Sequence, residues 1–306
     1  MRKPDARQRI VVFSLNPSVD VEWSVPRVVW EEKNNILSER RWAGGKGVNV
    51  ARWLRLLGAP MQLVLPLGGN TGKEMEDFLA SEGLSHKTFW IRHSTRANII
   101  VTTAERRQLR FNPLGPELDR LDWEAIFRFA ADTPACMAIC SGALPRNAPR
   151  NAYQNLGRIF ASRGIPCVLD CDGVPFAEGI RSLPLLVKPN RFELAQWVGK
   201  ELETEDDVIV AAKELAVQTT KHVLVSMGAE GALLVWNQPD EPVPSCILRA
   251  SSPEVTVLNT IGAGDSMLAG AAFALAEGKS PEDCLRLAIA VSTAAVSKPA
   301  GVLPKR

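Results

Sequence analysis

Short, continuously apolar, β-rich runs recur along this chain with helical patterns between them, and that alternation limits its fold more than any other feature. Residues 10–15, 62–65, 135–140, 167–170, 185–187, 223–226 and 232–236 read as strands. Runs without polar alternation suit a sheet covered on both faces. Val50, Trp53, Leu54 and Leu57 repeat at i, i+3, i+4 and i+7, and Gly58 ends that helix. Residues 74–81, 122–131, 150–163 and 206–218 are further predicted helices. The order βαβα predicts an α/β fold with a doubly wound, mostly parallel sheet. Residues 21–42 and 97–111 break the rhythm with alternating patterns. They predict a small β lid standing off the main sheet, against the plainer reading of irregular surface loops. One domain over residues 1–306 with this insertion is expected.

Charge and composition exclude several classes of function. A formal net charge of +2 leaves no global basic field for nucleic acid. The longest apolar runs, such as 135–140 and 183–187, are far too short to cross a bilayer. Residues 1–9 are charged and unlike a signal-peptide core. A cytoplasmic protein with neither nucleic-acid nor membrane partners is expected. The six cysteines form no Cys-x-x-Cys pair, and only His86, His93 and His222 could assist them. Buried, reduced thiols are therefore expected instead of a zinc site.

The segment richest in chemistry is Asn259-Thr-Ile-Gly-Ala-Gly-Asp265-Ser. Gly262 and Gly264 bracket a turn, and an apolar helix follows over residues 267–276. A turn that opens a helix directs free N–H groups outward, and the helix dipole adds positive potential there. Gly262, Ala263 and Gly264 thus read as a cradle for an anion, such as a phosphoryl group gaining charge during transfer. Asp265 is favoured in a first helical turn even without a function. Beside such a cradle it also suits a base that deprotonates an attacking hydroxyl. The segment is neither the dinucleotide fingerprint nor a Walker loop.

Gly-Ala-Gly-Asp265 opening a late helix resembles the C-terminal signature of the ribokinase-like, phosphofructokinase-B family of carbohydrate kinases. Trp42-Ala-Gly-Gly-Lys-Gly-Val-Asn49-Val-Ala-Arg52 resembles the family's first signature, and Asn16-Pro-Ser-Val-Asp20 the end of its first strand. Ser141-Gly-Ala-Leu-Pro145, Lys188-Pro-Asn190-Arg-Phe-Glu193-Leu and Ser226-Met-Gly-Ala-Glu-Gly231 match further family segments in order.

The resemblance implies a ribokinase-like fold, ATP as co-substrate, Mg²⁺, and a homodimer through the lid. It assigns Asp20, Gly44, Gly45 and Asn49 to the sugar. Asn190, Ser226, Gly228, Gly231 and Thr293 go to the nucleotide, and Glu193 to Mg²⁺ through water. A solvated helix residue is the plainer account of Glu193. Lys33, Lys46 and Arg96, with Arg110 as a further candidate, concentrate positive charge on the sugar side. Singly each reads as a surface charge; together they point to a phosphorylated sugar. The fructose-1-phosphate, fructose-6-phosphate and tagatose-6-phosphate kinase branch fits, and the sequence does not separate its members. Ala143 departs from the family pattern, which commonly has serine there. Relatives are also expected to continue into another helix past Pro304. That leaves K⁺ open, with Lys298 able to stand in for the ion. Two alternatives stay open: a kinase for a plain sugar or nucleoside, and a non-catalytic metabolite sensor.

Overall fold

The computed structural model describes residues 9–219, 221–237, 246–299 and 301–302. Strand β1 (Ile10–Phe13) leads almost directly into β2 (Ser18–Val25), and β3 (Ser38–Gly44) follows. Next come α1 (Lys46–Leu57), β4 (Met61–Leu67), α2 (Gly69–Ser81), β5 (His86–Trp90), β6 (Arg96–Thr103) and β7 (Gln108–Phe111). The chain continues through α3 (Arg120–Asp132), β8 (Met137–Ser141), α4 (Ala152–Ala161), β9 (Cys167–Asp170), α5 (Gly173–Gly179), β10 (Leu186–Val187), α6 (Arg191–Val198) and α7 (Glu205–Thr219). Strands β11 (His222–Ser226), β12 (Ala232–Trp236) and β13 (Cys246–Ala250) precede α8 (Ala263–Ala276) and α9 (Pro281–Val296).

The main sheet runs β13-β12-β11-β10-β9-β8-β1-β4-β5. From β11 to β5 every pairing is parallel, and β12 and β13 add an antiparallel edge. Alternate strand residues face opposite sides. Ile10 and Val12 therefore pack with Leu54 of α1, Leu268 of α8 and Ile289 of α9. Val11 and Phe13 pack on the other face with Ile126 of α3, Phe160 of α4 and Leu215 of α7. Each such buried side chain contributes about 2 kcal/mol, which explains the continuously apolar runs. From β1 the chain moves to β4 and β5 on one side, then returns to β8 on the other. Open α/β sheets bind ligands outside the carboxyl ends of strands at such a reversal.

The segments that interrupt the alternation form a second sheet, in the order β3-β2-β6-β7. Its strands begin earlier than predicted: β2 at Ser18 and β6 at Arg96, while β3 runs on to Gly44. Residues 26–37 carry no strand. Val19 and Val21 are buried beneath this sheet, whereas Trp30, Leu37 and Phe111 stay exposed.

Helix α2 starts five residues before its predicted onset. Gly68, Gly69 and Gly72 let the helix start against residues 91–95. A Cβ on Gly68 would lie 2.1 Å from the carbonyl oxygen of His93. Helix α8 likewise begins at Ala263, which places Asp265 at its third position.

Candidate active site

Gly262 caps α8 with a left-handed φ of 78°, a conformation that a side chain would strain. Its missing Cβ also leaves room for Asn49, whose Nδ2 would stand 3.3 Å from that atom. Asn49 Nδ2 donates to Asp265 Oδ2 at 2.8 Å. The N–H of Ile261 is given to Asn259 Oδ1 at 3.0 Å and that of Ala263 to the carbonyl of Thr260 at 3.4 Å, which leaves Gly262 and Gly264 of the expected cradle. Asp265 is only 7% exposed. Burial, reinforced by the nearby Asp170, pushes its carboxyl up to about 6, and Asn49, Lys46 and Lys188 oppose that rise.

Two residues that the sequence reading did not single out complete this junction. Asp170 closes β9, is 1% exposed, and neither of its carboxylate oxygens has a hydrogen-bond partner. Lys188, 5% exposed, brings Nζ to 3.4 Å from Asp170 Oδ1. The same Nζ lies 3.2 Å from the point where a Cβ of Gly264 would stand, so it borders the start of α8. Lys46 Nζ stands 3.8 Å from Asp170 and 3.7 Å from Glu193. Asp170 above all raises the Lys46 pKa and keeps the ammonium charged. Lys46 was expected beside the sugar phosphate; its ammonium instead joins the acids at the ends of β9 and the start of α6.

The residues expected on the sugar side meet at the start of β2. Asp20 Oδ1 accepts from Ser18 Oγ and from Asn98 Nδ2, each at 2.8 Å. Asn98 lies opposite Asp20 in the β2–β6 register. Burial raises the Asp20 carboxyl, and the two hydrogen bonds counter that rise. Gly44 must lack a side chain, because a Cβ there would fall 2.3 Å from the Asp20 carboxyl carbon. Gly45, with φ of 112°, turns the chain into α1. Arg96 donates through Nη1 to the carbonyl of Pro113 at 2.8 Å and through Nη2 to that of Asn16 at 2.9 Å. Lys33 does not join this group. It is exposed within residues 26–37, beyond Val25, five residues and roughly 16 Å along β2 from Asp20. Arg110 is also exposed on β7 and donates to Gln108.

A cleft of about 520 Å³ adjoins the junction, lined by Asn190, Ser226, Gly228, Thr260, Gly264, Met267, Thr293 and Val296 among others. Gly231 does not line it. A Cβ on Gly231 would stand 2.0 Å from the carbonyl oxygen of Ala250, so this glycine serves the packing of the chain beyond β13.

Asn190 and Glu193 form a capping box on α6. Asn190 Oδ1 accepts from the Glu193 N–H at 2.8 Å, and Glu193 Oε2 accepts from the Asn190 N–H at 2.9 Å. The remaining oxygen of Glu193 faces Lys46. Among the described residues no group of three or more His, Cys, Asp or Glu could hold a metal alone. A single carboxylate at the start of α6, beside the cleft-lining Asn190, fits Mg²⁺, which keeps several waters and takes its other ligands from phosphates. Lys298 is exposed. Of the segment considered for K⁺, Ala300 and residues 303–306 lie outside the described residues.

Comparison with known proteins bears directly on this geometry. The profile of the pfkB family carbohydrate kinases matches residues 19–305. The chain belongs to the pfkB family of carbohydrate kinases. It is 35% identical over 301 residues to a 1-phosphofructokinase of Escherichia coli strain K12, covering 95% of this chain and 92% of that protein. An ATP-dependent 6-phosphofructokinase isozyme 2 of Mycobacterium tuberculosis is 32% identical over 300 residues, covering 96% of this chain and 86% of that protein. Escherichia coli phosphofructokinase-2, solved in complex with substrates and products, superposes with a TM-score of 0.89 at 30% identity, covering 96% and 95% of the two chains. The expected doubly wound, ribokinase-like architecture and the expected carbohydrate kinase activity both agree with these matches. No helix among the described residues is long and apolar enough to cross a membrane.

Proposed function

We propose that this pfkB-family kinase transfers the γ-phosphoryl of ATP to a hydroxyl of a sugar phosphate of the fructose-1-phosphate, fructose-6-phosphate or tagatose-6-phosphate class. Asp265 is the general base in this reading. The observation that carries it is the place of Asp265. Buried at a helix start, it borders two lysines near the nucleotide-sized cleft and is hydrogen-bonded to Asn49 on the sugar side.

ATP lies along the cleft between Ser226, Gly228 and Thr293, with Asn190 at its phosphate end. Asp20, fixed by Ser18 and Asn98, accepts hydrogen bonds from sugar hydroxyls, and the bare backbone of Gly44 and Gly45 lets the ring approach. Arg96, anchored on two carbonyls, offers its remaining N–H groups to the sugar's existing phosphate. Asp265 takes the proton of the attacking hydroxyl. The N–H groups of Gly262 and Gly264, with Lys188 and Lys46, stabilise charge gathering on the migrating group. Glu193 would hold Mg²⁺ through water, where the ion supplies neutralisation of phosphate charge.

An ADP-release assay across phosphorylated and plain sugars tests the reading. Turnover is expected on a fructose or tagatose phosphate, and Arg96→Ala should raise its KM about tenfold or more while leaving the KM for ATP unchanged. Better turnover of an unphosphorylated sugar or a nucleoside would overturn the substrate class, and absence of turnover on every sugar would favour a sensor. Exchanging K⁺ for Na⁺ in the same assay measures potassium activation. A cytoplasmic homodimer through the second sheet, with its exposed Trp30, Leu37 and Phe111, completes the proposal. Sedimentation of the wild type against Trp30→Glu measures it.

A further inference from the structure

The hydrogen bond between Asn49 and Asp265 continues into an ion pair of Arg52 with Glu82, whose arginine is buried and which the catalytic reading does not use. Asn49 and Arg52 lie three residues apart on α1, one turn of the same face. Arg52 Nη1 donates to Asn49 Oδ1 at 3.2 Å. The guanidinium is 3% exposed and is gripped by Glu82, the residue that ends α2, through Nε–Oε2 at 2.6 Å and Nη2–Oε1 at 2.5 Å.

A carboxamide has one accepting end and one donating end. A guanidinium only donates, so Arg52 binds only the oxygen of Asn49, and this directs the NH₂ toward Asp265. Without Arg52 the amide is free to flip, and its oxygen would then oppose the Asp265 carboxylate. Helix α2 thereby acts on the base through two side chains, without touching substrate.

We propose that Arg52 and Glu82 are positioning residues for phosphoryl transfer, holding the Asn49 carboxamide in the one orientation that donates to Asp265. The proposal rests on Asp265 being the base. Asp265 is also faced by Lys46 from α1, Asp170 from the end of β9 and Lys188 after β10, and these contacts stay in place when Arg52 is replaced.

The test is a mutant cycle read by steady-state kinetics. Arg52→Met should lower kcat at least tenfold, keep the KM for ATP within twofold, and move the acid limb of the pH profile upward, since the Asn49 bond holds the Asp265 pKa down. Added to Asn49→Ala, the same change should cost less than a further twofold. Full kcat in folded Arg52→Met, or losses that multiply with those of Asn49→Ala, would overturn the proposal. If Arg52→Met does not fold, Arg52→Met combined with Glu82→Met removes both charges of the pair, and the same outcomes decide. Asp265→Asn separates the two readings. If it keeps turnover, the base assignment fails; if it is inactive while the Arg52 variants are normal, only the relay fails.

Discussion

Gly44 and Asp20 are pressed together so closely that any side chain on the first would occupy the carboxylate of the second. A Cβ at Gly44 would lie within 2.3 to 2.4 Å of all three carboxyl atoms. Ser18 and Asn98 both donate to Oδ1 of that carboxylate and hold it in place. Gly44→Ala is therefore expected to cut kcat/KM for the phosphosugar about a hundredfold, close to 3 kcal/mol of transition-state binding. ATP affinity, measured by calorimetry, should stay within twofold because the cleft lies elsewhere. A variant with normal sugar kinetics would remove Asp20 from the sugar site.

The raised pKa of Asp265 sets a pH dependence with a definite sign. The base must be ionised, so kcat/KM should fall with unit slope as pH drops below about 6 and level off above it. Stability runs the opposite way. A carboxyl whose folded pKa is raised from 3.8 to about 6 contributes stability fully below pH ~4, and loses it as pH rises through about 6. Asp265→Asn should abolish most turnover yet raise Tm at pH 8, by relief of up to about 3 kcal/mol. A lower Tm for that variant at pH 8 would contradict the burial argument.

Asp170 depends on its lysines. Removing one partner of a buried pair leaves an uncompensated charge, at a cost of about 3–5 kcal/mol. Lys188→Met should accordingly lower stability by that order and turnover by about two orders of magnitude. Adding Asp170→Asn should restore much of the denaturant midpoint but not kcat. Recovery of both would mean that Lys188 serves the fold alone.

Glu193 has a capping task and a proposed metal task, and these can be separated. Glutamine also completes a capping box, so Glu193→Gln should leave Tm nearly unchanged while raising the Mg²⁺ concentration for half-maximal activity. Glu193→Ala should in addition cost about 1 kcal/mol of stability. An unchanged Mg²⁺ requirement in both variants would leave Glu193 with the cap only.

Much of this site was readable from the chain itself, and what was missed follows a rule. Asp20, Gly44, Asn49 and Asp265 stand in turns and helix starts, where residue type and local geometry are tied together. Asp170 and Lys188 were passed over because each looks like an ordinary strand-end residue. They meet only because β9 and β10 pair in parallel, with Val187 opposite Leu169. Asn98 was missed for the same reason: the register of β2 with β6, not its neighbours in sequence, puts it against Asp20. Gly231 shows the converse case. Its place in a family segment suggested the nucleotide, while the structure packs it against Ala250. The polar strand β5 and the short helices α5 and α6 escaped because neither hydrophobic period has room to develop in them.

In the proposed mechanism the two sheets divide the reaction between them. Asp20 belongs to the second sheet and Asp265 to a helix packed on the main one, and residues 14–17 carry the chain from β1 directly into β2. On that reading the acceptor would be gripped by one piece of the molecule and activated by the other, so only a compound with handles for the first would be presented to the second. A water molecule has no such handles, which would give the enzyme a mechanical reason to spare ATP from idle hydrolysis.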